Sequence, residues 1–347
     1  MRTSAAGISD VGLQRDHNED CFKVLKEYEL YVVADGMGGH RAGDVASRLA
    51  TEAIAEFFKR SAEEELTWPF QFDASLSEEE NRLLTAIRLA NRQIHEHSTR
   101  SHDLRGMGTT VVGALLSADR RKIFVAHVGD SRVYRVRGGR IEQLTRDHSL
   151  LNDYLSAMPD MTDEQRGDLP RNVITRALGM QENVEVDVQA QPIVAGDVFL
   201  LCSDGLSGMV SDEEMLSVIR SFSEPEDACR RLISLANEHG GEDNITAVVV
   251  RTAADSPGEL AAADATMPFV PAAGGSGVGH VGATDATLPM MPVPGSLRGV
   301  DAMAKTPPGG VQAVVPMREV ADTLPGIDDG EAVEERNTEP PPEPQKP

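Results

Sequence analysis

The sequence predicts an α+β domain in which antiparallel strands are covered by amphipathic helices, followed by a long tail without structure of its own. Three observations carry this. Short β-branched runs are joined by turns too brief for a parallel crossover. Two long segments repeat apolar residues at 3-and-4 spacing. After Arg251 the composition changes abruptly.

The chain has 347 residues, enough for two ordinary domains or for one large domain with an appendage. Composition favours the second arrangement. Residues 1–251 mix charge with periodic apolar segments, whereas 252–347 are dominated by Ala, Gly, Pro, Met and Asp. Such a stretch buries too little apolar surface to offset the entropy of ordering it, so residues 252–347 read as a disordered tail. The formal charge of −23 is spread over both parts. An acidic surface offers no track for a polynucleotide backbone or an anionic membrane, so neither is expected as a partner. Cys21, Cys202 and Cys229 form an odd set without metal-type spacing, which points to a reducing compartment. No apolar stretch reaches the roughly 18 residues of a membrane span, and a cytoplasmic protein is expected.

Taken in order, residues 6–9, 21–24 and 30–34 read as strands. Between the first two lies a polar connection containing Arg15, Glu19 and Asp20. Helices are expected over 42–60, with Ala46, Leu49, Ala50, Ala53, Ile54 and Phe57 on one face, and over 77–98, where Ser77 and Glu80 form a capping box. A linker from Leu66 to Ala74 joins them and carries Trp68. Strands follow at 108–116, 122–128, 131–137 and 140–144, the last pair turning at Gly138-Gly139. Residues 145–178 lose the alternation and carry Asp153, Asp160, Asp163, Glu164 and Asp168; an irregular surface excursion with one short helix is expected there. Strands resume at 184–188 and 198–202, helices at 212–221 and 225–238, and a last strand at 245–250.

The run Val32-Val33-Ala34-Asp35-Gly36-Met37-Gly38-Gly39-His40 organises the rest. A buried strand is expected to end there in a carboxylate, with bare backbone beside it. An Asp-Gly pair alone also suits a hairpin turn. The placement recurs, however, at Asp130, Asp204 and Asp243. Like charges converging at strand ends are costly unless cations neutralise them. The donors are all oxygen, with no His or Cys spacing for zinc, so Mg²⁺ or Mn²⁺ is favoured. Two such ions about 4 Å apart lower the pKa of a shared water and present it in line to phosphorus. Arg15 offers a planar fork for the phosphoryl oxygens.

These residues sit in eight ordered motifs: Arg15-x-x-Asn18-Glu19-Asp20, Asp35-Gly36-Met37-Gly38-Gly39, Gly108-Thr109-Thr110, Val128-Gly129-Asp130-Ser131-Arg132, Leu144-Thr145-Arg146-Asp147-His148, Ile174-Thr175-Arg176-Ala177-Leu178-Gly179, Ser203-Asp204-Gly205-Leu206 and Asp243-Asn244-Ile245-Thr246. Together they resemble the metal-dependent protein serine/threonine phosphatases of type 2C, the PPM family, in their bacterial form. The resemblance runs over residues 3–251. It implies a central β-sandwich of two antiparallel sheets flanked by helical pairs. It also implies that Asp35 bridges two Mn²⁺ or Mg²⁺ ions, that the Gly36 carbonyl lies on one of them, and that Asp204 and Asp243 lie on the other. Glu19 and Asp20 would orient water, Asp130 would help hold a weaker third metal, Arg15 would bind phosphate, and residues 149–173 would form the variable flap. The sequence departs from the family at Met37, where eukaryotic members often carry a His that protonates the leaving alcohol; a thioether has no proton to give. His40 is expected to face solvent and His148 to be structural.

The resemblance implies phosphorylated proteins as substrates and serine/threonine kinases as the opposing partners. In the tail, Asp264-Ala265-Thr266-Met267-Pro268, Asp285-Ala286-Thr287-Leu288-Pro289 and Ala321-Asp322-Thr323-Leu324-Pro325 repeat one theme, either as composition bias or as phosphothreonine sites. If Thr266, Thr287 and Thr323 are phosphorylated, forkhead-associated domains are the fitting readers. Two rival functions stand beside the phosphatase. One is a catalytically weak phosphopeptide-binding scaffold with a kinase-regulated tail, the other a carboxylate-based phosphodiesterase or nuclease. The first predicts lost acids and the second a basic track.

Overall fold

The computed structural model describes residues 1–38, 42–63, 70, 72–162, 165, 169–170 and 173–255. Eleven strands within these residues form two antiparallel sheets. The first has the order β1 (Arg2–Asp10), β11 (Ile245–Ala253), β10 (Val198–Cys202), β7 (Arg132–Arg137) and β8 (Arg140–Gln143). The second has the order β2 (Asp20–Leu25), β3 (Leu30–Met37), β5 (Val111–Leu116), β6 (Lys122–Val128) and β9 (Asp187–Pro192), with the short β4 (Gly108–Thr109) also pairing β3.

Both faces of the central strands are apolar, and the period of two divides them between layers. In β3, Tyr31 and Val33 point into the space between the sheets, where they meet Val112, Phe199, Leu201, Val248 and Val250. Leu30, Val32 and Ala34 point the other way, against α1 (Ala42–Glu63) and α2 (Glu78–Arg100). The opposite sheet repeats the division: Leu200, Cys202, Ala247 and Val249 pack under α5 (Asp212–Ser221) and α6 (Pro225–Glu238). The fold is therefore the expected sandwich with a helical pair on each side. Each fully buried Val or Leu contributes roughly 1.5–3 kcal/mol. The predicted capping box at Ser77 is present, with the Glu80 amide donating to the Ser77 hydroxyl and the Ser77 amide donating to Glu80. The excursion after β8 contains the expected short helix, α3 (Leu150–Ala157), and a second helical position at Gln165 that was not expected.

Three boundaries differ from expectation. The strand over 30–34 does not end at Asp35. It continues as β3 to Met37, because Gly36 and Met37 find partners in Thr109 and Gly108. Gly36 is needed for close approach: a Cβ there would lie 2.1 Å from the Gly43 carbonyl oxygen at the start of α1. The strand expected at 184–188 instead starts at Asp187, since Val184 and Val186 are drawn into the apolar layer beneath α1 and α2. The tail does not begin at Thr252. Thr252 and Ala253 pair with Thr3 and Arg2, so β11 runs on for as long as β1 offers a partner.

His40, Trp68, Asp163, Glu164, Asp168 and the threonines at 266, 287 and 323 lie outside the described residues. No helix among the described residues is long and apolar enough to cross a membrane.

Candidate active site

The acids singled out in the sequence meet at one end of the two sheets. Asp20 opens β2 and is the direct cross-strand partner of Asp35 in β3. Asp130 follows β6, Asp243 precedes β11, and Asp204 is the first residue of the short helix α4 (Asp204–Ser207), just after β10. The carboxyls of Asp35 and Asp204 lie within hydrogen-bond reach of each other, and both also face Asp20. Asp130 faces Asp35 and Asp204, and Asp243 faces Asp20 and Asp204.

Close packing explains how the loops converge. The Gly36 amide donates to the Glu19 carbonyl (3.1 Å), and the Glu19 amide donates to Asn244 Oδ1 (2.8 Å). Gly205 admits only hydrogen as a side chain, because a Cβ would lie 2.1 Å from the Asn244 carbonyl oxygen. Asn244 pins the β1–β2 connection at three points, since its side-chain Nδ2 also donates to the carbonyls of Val11 and His17.

Crowding like charges out of water pushes these carboxyls up. Asp20 is raised to about 7, by burial first and then by Asp204 and Asp243, against the lowering effect of two hydroxyl donors. Those donors are Ser203 Oγ and Thr246 Oγ1, each 2.7 Å from Asp20 Oδ2. Asp130 is also raised to about 7, by burial and then by Asp204 and Asp147. Asp35 and Asp204 rise too, burial leading in both, and Glu19 rises for the same reason. Asp20 Oδ1, Asp130 Oδ1 and Asp204 Oδ1 are buried without any hydrogen-bond partner. In a native protein such orphaned oxygens call for a ligand or a functional reason.

The cationic Arg15 sits at the exposed rim. It donates to Asp243 Oδ2 at 2.6 Å and to the Glu242 carbonyl at 3.4 Å. The structure thus brings Arg15, Glu19, Asp20, Asp35, Gly36, Asp130, Asp204 and Asp243 to one cleft. Sequence reasoning gave no role to the neutral residues that hold the acids: Ser203, Thr246, Asn244 and Thr110. Thr110 Oγ1 accepts from the Asp35 amide at 3.2 Å. The available signal was their position, each within three residues of an acid or directly after the Gly108-Thr109 pair.

A profile for Protein phosphatase 2C matches residues 13–238. The chain belongs to the protein phosphatase 2C family. This phosphatase is 37% identical over 250 residues to the serine/threonine phosphatase stp of Listeria welshimeri, covering 70% of this chain and 93% of the relative. It is also similar to two solved structures, the first of them of the Mycobacterium tuberculosis serine/threonine phosphatase PstP/Ppp. The first shares 35% identity at a TM-score of 0.63, covering 73% of this chain and 99% of that one. The second, a PstP catalytic domain in complex with two manganese ions, shares 34% identity at a TM-score of 0.61 with the same coverage. The phosphatase is an enzyme of the serine/threonine type, as those relatives are. Asp243 lies beyond the matched profile.

Proposed function

We propose that this phosphatase hydrolyses phosphoserine and phosphothreonine esters in proteins with two Mn²⁺ or Mg²⁺ ions held by Asp35, the Gly36 carbonyl, Asp204 and Asp243. Asp130 is the donor for a third, weaker ion. The donor set fits hard cations, being carboxylate and carbonyl oxygen without sulfur or imidazole. The orphaned oxygens of Asp20, Asp130 and Asp204 fit the same reading, because a cation would satisfy what no protein donor does. When bound, such a pair supplies Lewis-acid polarisation of the phosphoryl group and lowers the pKa of a water placed for in-line attack.

The chain's own residues prepare the rest. Ser203 and Thr246 fix Asp20 Oδ2 by two donors, leaving Oδ1 free to orient a water or take its proton. Glu19 lines the same wall, anchored through its amide to Asn244. Arg15 stands at the mouth, and a phosphate arriving there competes with Asp243 for the guanidinium fork. Met37, next in sequence to Gly36, has no proton to donate.

The observation that carries this reading is the close approach of the buried Asp35 and Asp204 carboxyls, with unpartnered oxygens on Asp20, Asp130 and Asp204 around them. The test is manganese-dependent release of phosphate from a phosphothreonine peptide by the wild type and by Asp204→Asn. Retained activity in the variant, or cleavage of a polynucleotide in place of the peptide, overturns it. The opposing partners are then serine/threonine kinases of the same cytoplasmic compartment, and the tail after Ala253 is a regulatory appendage to the catalytic domain. Thr266, Thr287 and Thr323 are its sites for phosphorylation and for forkhead-associated readers. Mass spectrometry of protein co-expressed with such a kinase, finding all three unmodified, removes that role.

A further inference from the structure

His148 lies outside the acidic cleft, yet it is bonded twice to the residue before Asp130. The His148 amide donates to the Gly129 carbonyl at 2.9 Å, and the Gly129 amide donates to His148 Nδ1 at 3.1 Å. An N–H pointing at Nδ1 requires a lone pair there, so the neutral ring carries its proton on Nε2. Nε2 faces Asp187 Oδ2 at 3.4 Å and Arg176 Nη1 at the same distance, while Arg176 also pairs with Asp187 (3.1 Å) and Glu185 (3.3 Å). The ring stacks on His127 at 4.7 Å between centroids, and His127 is itself fixed through Nε2 to the Arg146 carbonyl at 2.8 Å. Burial, then the neighbouring His127 and Arg176, lowers the His148 pKa and keeps the ring neutral.

His127, His148 and Asp187 offer ligand atoms within 4.8 Å of one another, which invites a reading as a second metal centre. The hydrogen bonds argue otherwise. The His148 Nδ1 lone pair is spent on Gly129, Nε2 is protonated, and the Arg176 guanidinium already neutralises Asp187. The cluster is a latch.

Gly129 has little freedom within it. Its φ is +106°, and a Cβ would lie 2.5 Å from Thr110 Cβ, so it is wedged between Thr110 and His148. Thr110 in turn accepts from the Asp35 amide. On its other side His148 anchors the excursion expected to act as the flap. The Thr175 amide donates to the His148 carbonyl at 2.8 Å, and Ser149 and Ile174 form an isolated bridge.

We propose that His148 is a positioning residue whose Nδ1 acceptor sets the Gly129–Asp130 turn, so that the base of the 149–173 excursion governs how Asp130 meets a divalent cation. This rests on the reading of Asp130 as a cation donor.

The test compares two isosteres in the full chain. His148→Asn places an oxygen acceptor near the position of Nδ1; His148→Gln places it near Nε2. Both lose the ring stack, so both lower the melting temperature. In calorimetric Mn²⁺ titrations, His148→Gln should weaken the weakest site by about 10–100-fold, the usual cost of removing a supporting partner, and His148→Asn should restore most of it. In ¹⁵N spectra of the wild type, His148 Nδ1 should be unprotonated and coupled across the hydrogen bond to the Gly129 amide. Equal Mn²⁺ binding by wild type and His148→Gln, equal losses in the two isosteres, or a protonated Nδ1 overturns the inference. Asp130→Asn separates the two levels. If it leaves the weakest site unchanged, the reading of Asp130 fails and the inference with it. If it weakens that site while His148→Gln does not, the inference alone fails.

Discussion

The two ends of the sandwich treat buried aspartates in opposite ways. At the far end, in the turn between β9 and β10, the Asp197 side chain is 0% exposed and fully answered. Arg137 grips it with two bonds of 2.6 Å, from Nε to Oδ1 and from Nη2 to Oδ2, and the Val194 amide adds a third at 2.9 Å. At the near end Asp20, Asp35, Asp130 and Asp204 crowd together, and three of them keep a buried oxygen with no partner. The cations near them are spent on other acids, Arg15 on Asp243 at the exposed rim and Arg132 on Asp147. A carboxylate that serves the fold is neutralised by the fold. On the proposed reading, one that serves chemistry is left for a cation the chain does not contain.

That difference predicts substitutions of opposite sign. Asp204→Asn removes a charge from the crowded end. Phosphatase activity with Mn²⁺ should fall by about 10³-fold or more, the scale seen when a key electrostatic group is lost from a catalytic site. The same variant, stripped of metal by EDTA, should melt about 3 °C higher than the wild type or more, because like-charge repulsion is relieved. A lower melting point without metal breaks the comparison, since it would make Asp204 a structural acid. At the other end, Arg137→Met leaves Asp197 buried with one amide donor. Breaking a buried pair from one side costs about 3–5 kcal/mol, so the melting temperature should drop on the order of 10 °C. Specific activity of the folded fraction, assayed well below that temperature, should be unchanged.

The two ends were not equally legible in the sequence. The near end was, because Asp35, Asp204 and Asp243 each follow or precede an apolar run, and strands place such residues at a sheet edge. The sandwich was partly legible: runs such as Val198–Cys202 are apolar on both faces and so announce burial, but which face meets which layer depends on pairings distant in sequence. Arg137–Asp197 was invisible, since sixty residues separate two charges that resemble ordinary surface residues. The neutral supports were equally hidden. Nothing local distinguishes the Ser203 and Thr246 that hold Asp20 from a capping serine and a strand threonine. The tight contact of Gly36 with Gly43 was hidden as well, because a close approach leaves no mark nearby in the chain.

The smallest expected effect is the most discriminating, because it reads the crowded end in the metal-free protein without catalysis. Asp20 and Asp130 titrate near 7 in the folded protein, well above the ordinary carboxylate value, with burial and neighbouring acids as the cause. Between about pH 4 and pH 7 the folded protein therefore holds protons that the unfolded chain has already released. Stability must fall as pH rises through that window and level off above it. Charges elsewhere also make melting depend on pH, but they are common to wild type and Asp20→Asn and cancel in the difference. Melting curves in EDTA at pH 5, 6, 7 and 8 should show the wild type losing at least about 3 °C more than Asp20→Asn over this range. Saturating Mn²⁺ should reverse the trend, stabilising most at pH 8, because ligands must be deprotonated to bind. Parallel curves in EDTA would mean that the near end has satisfied its acids after all, as the far end has.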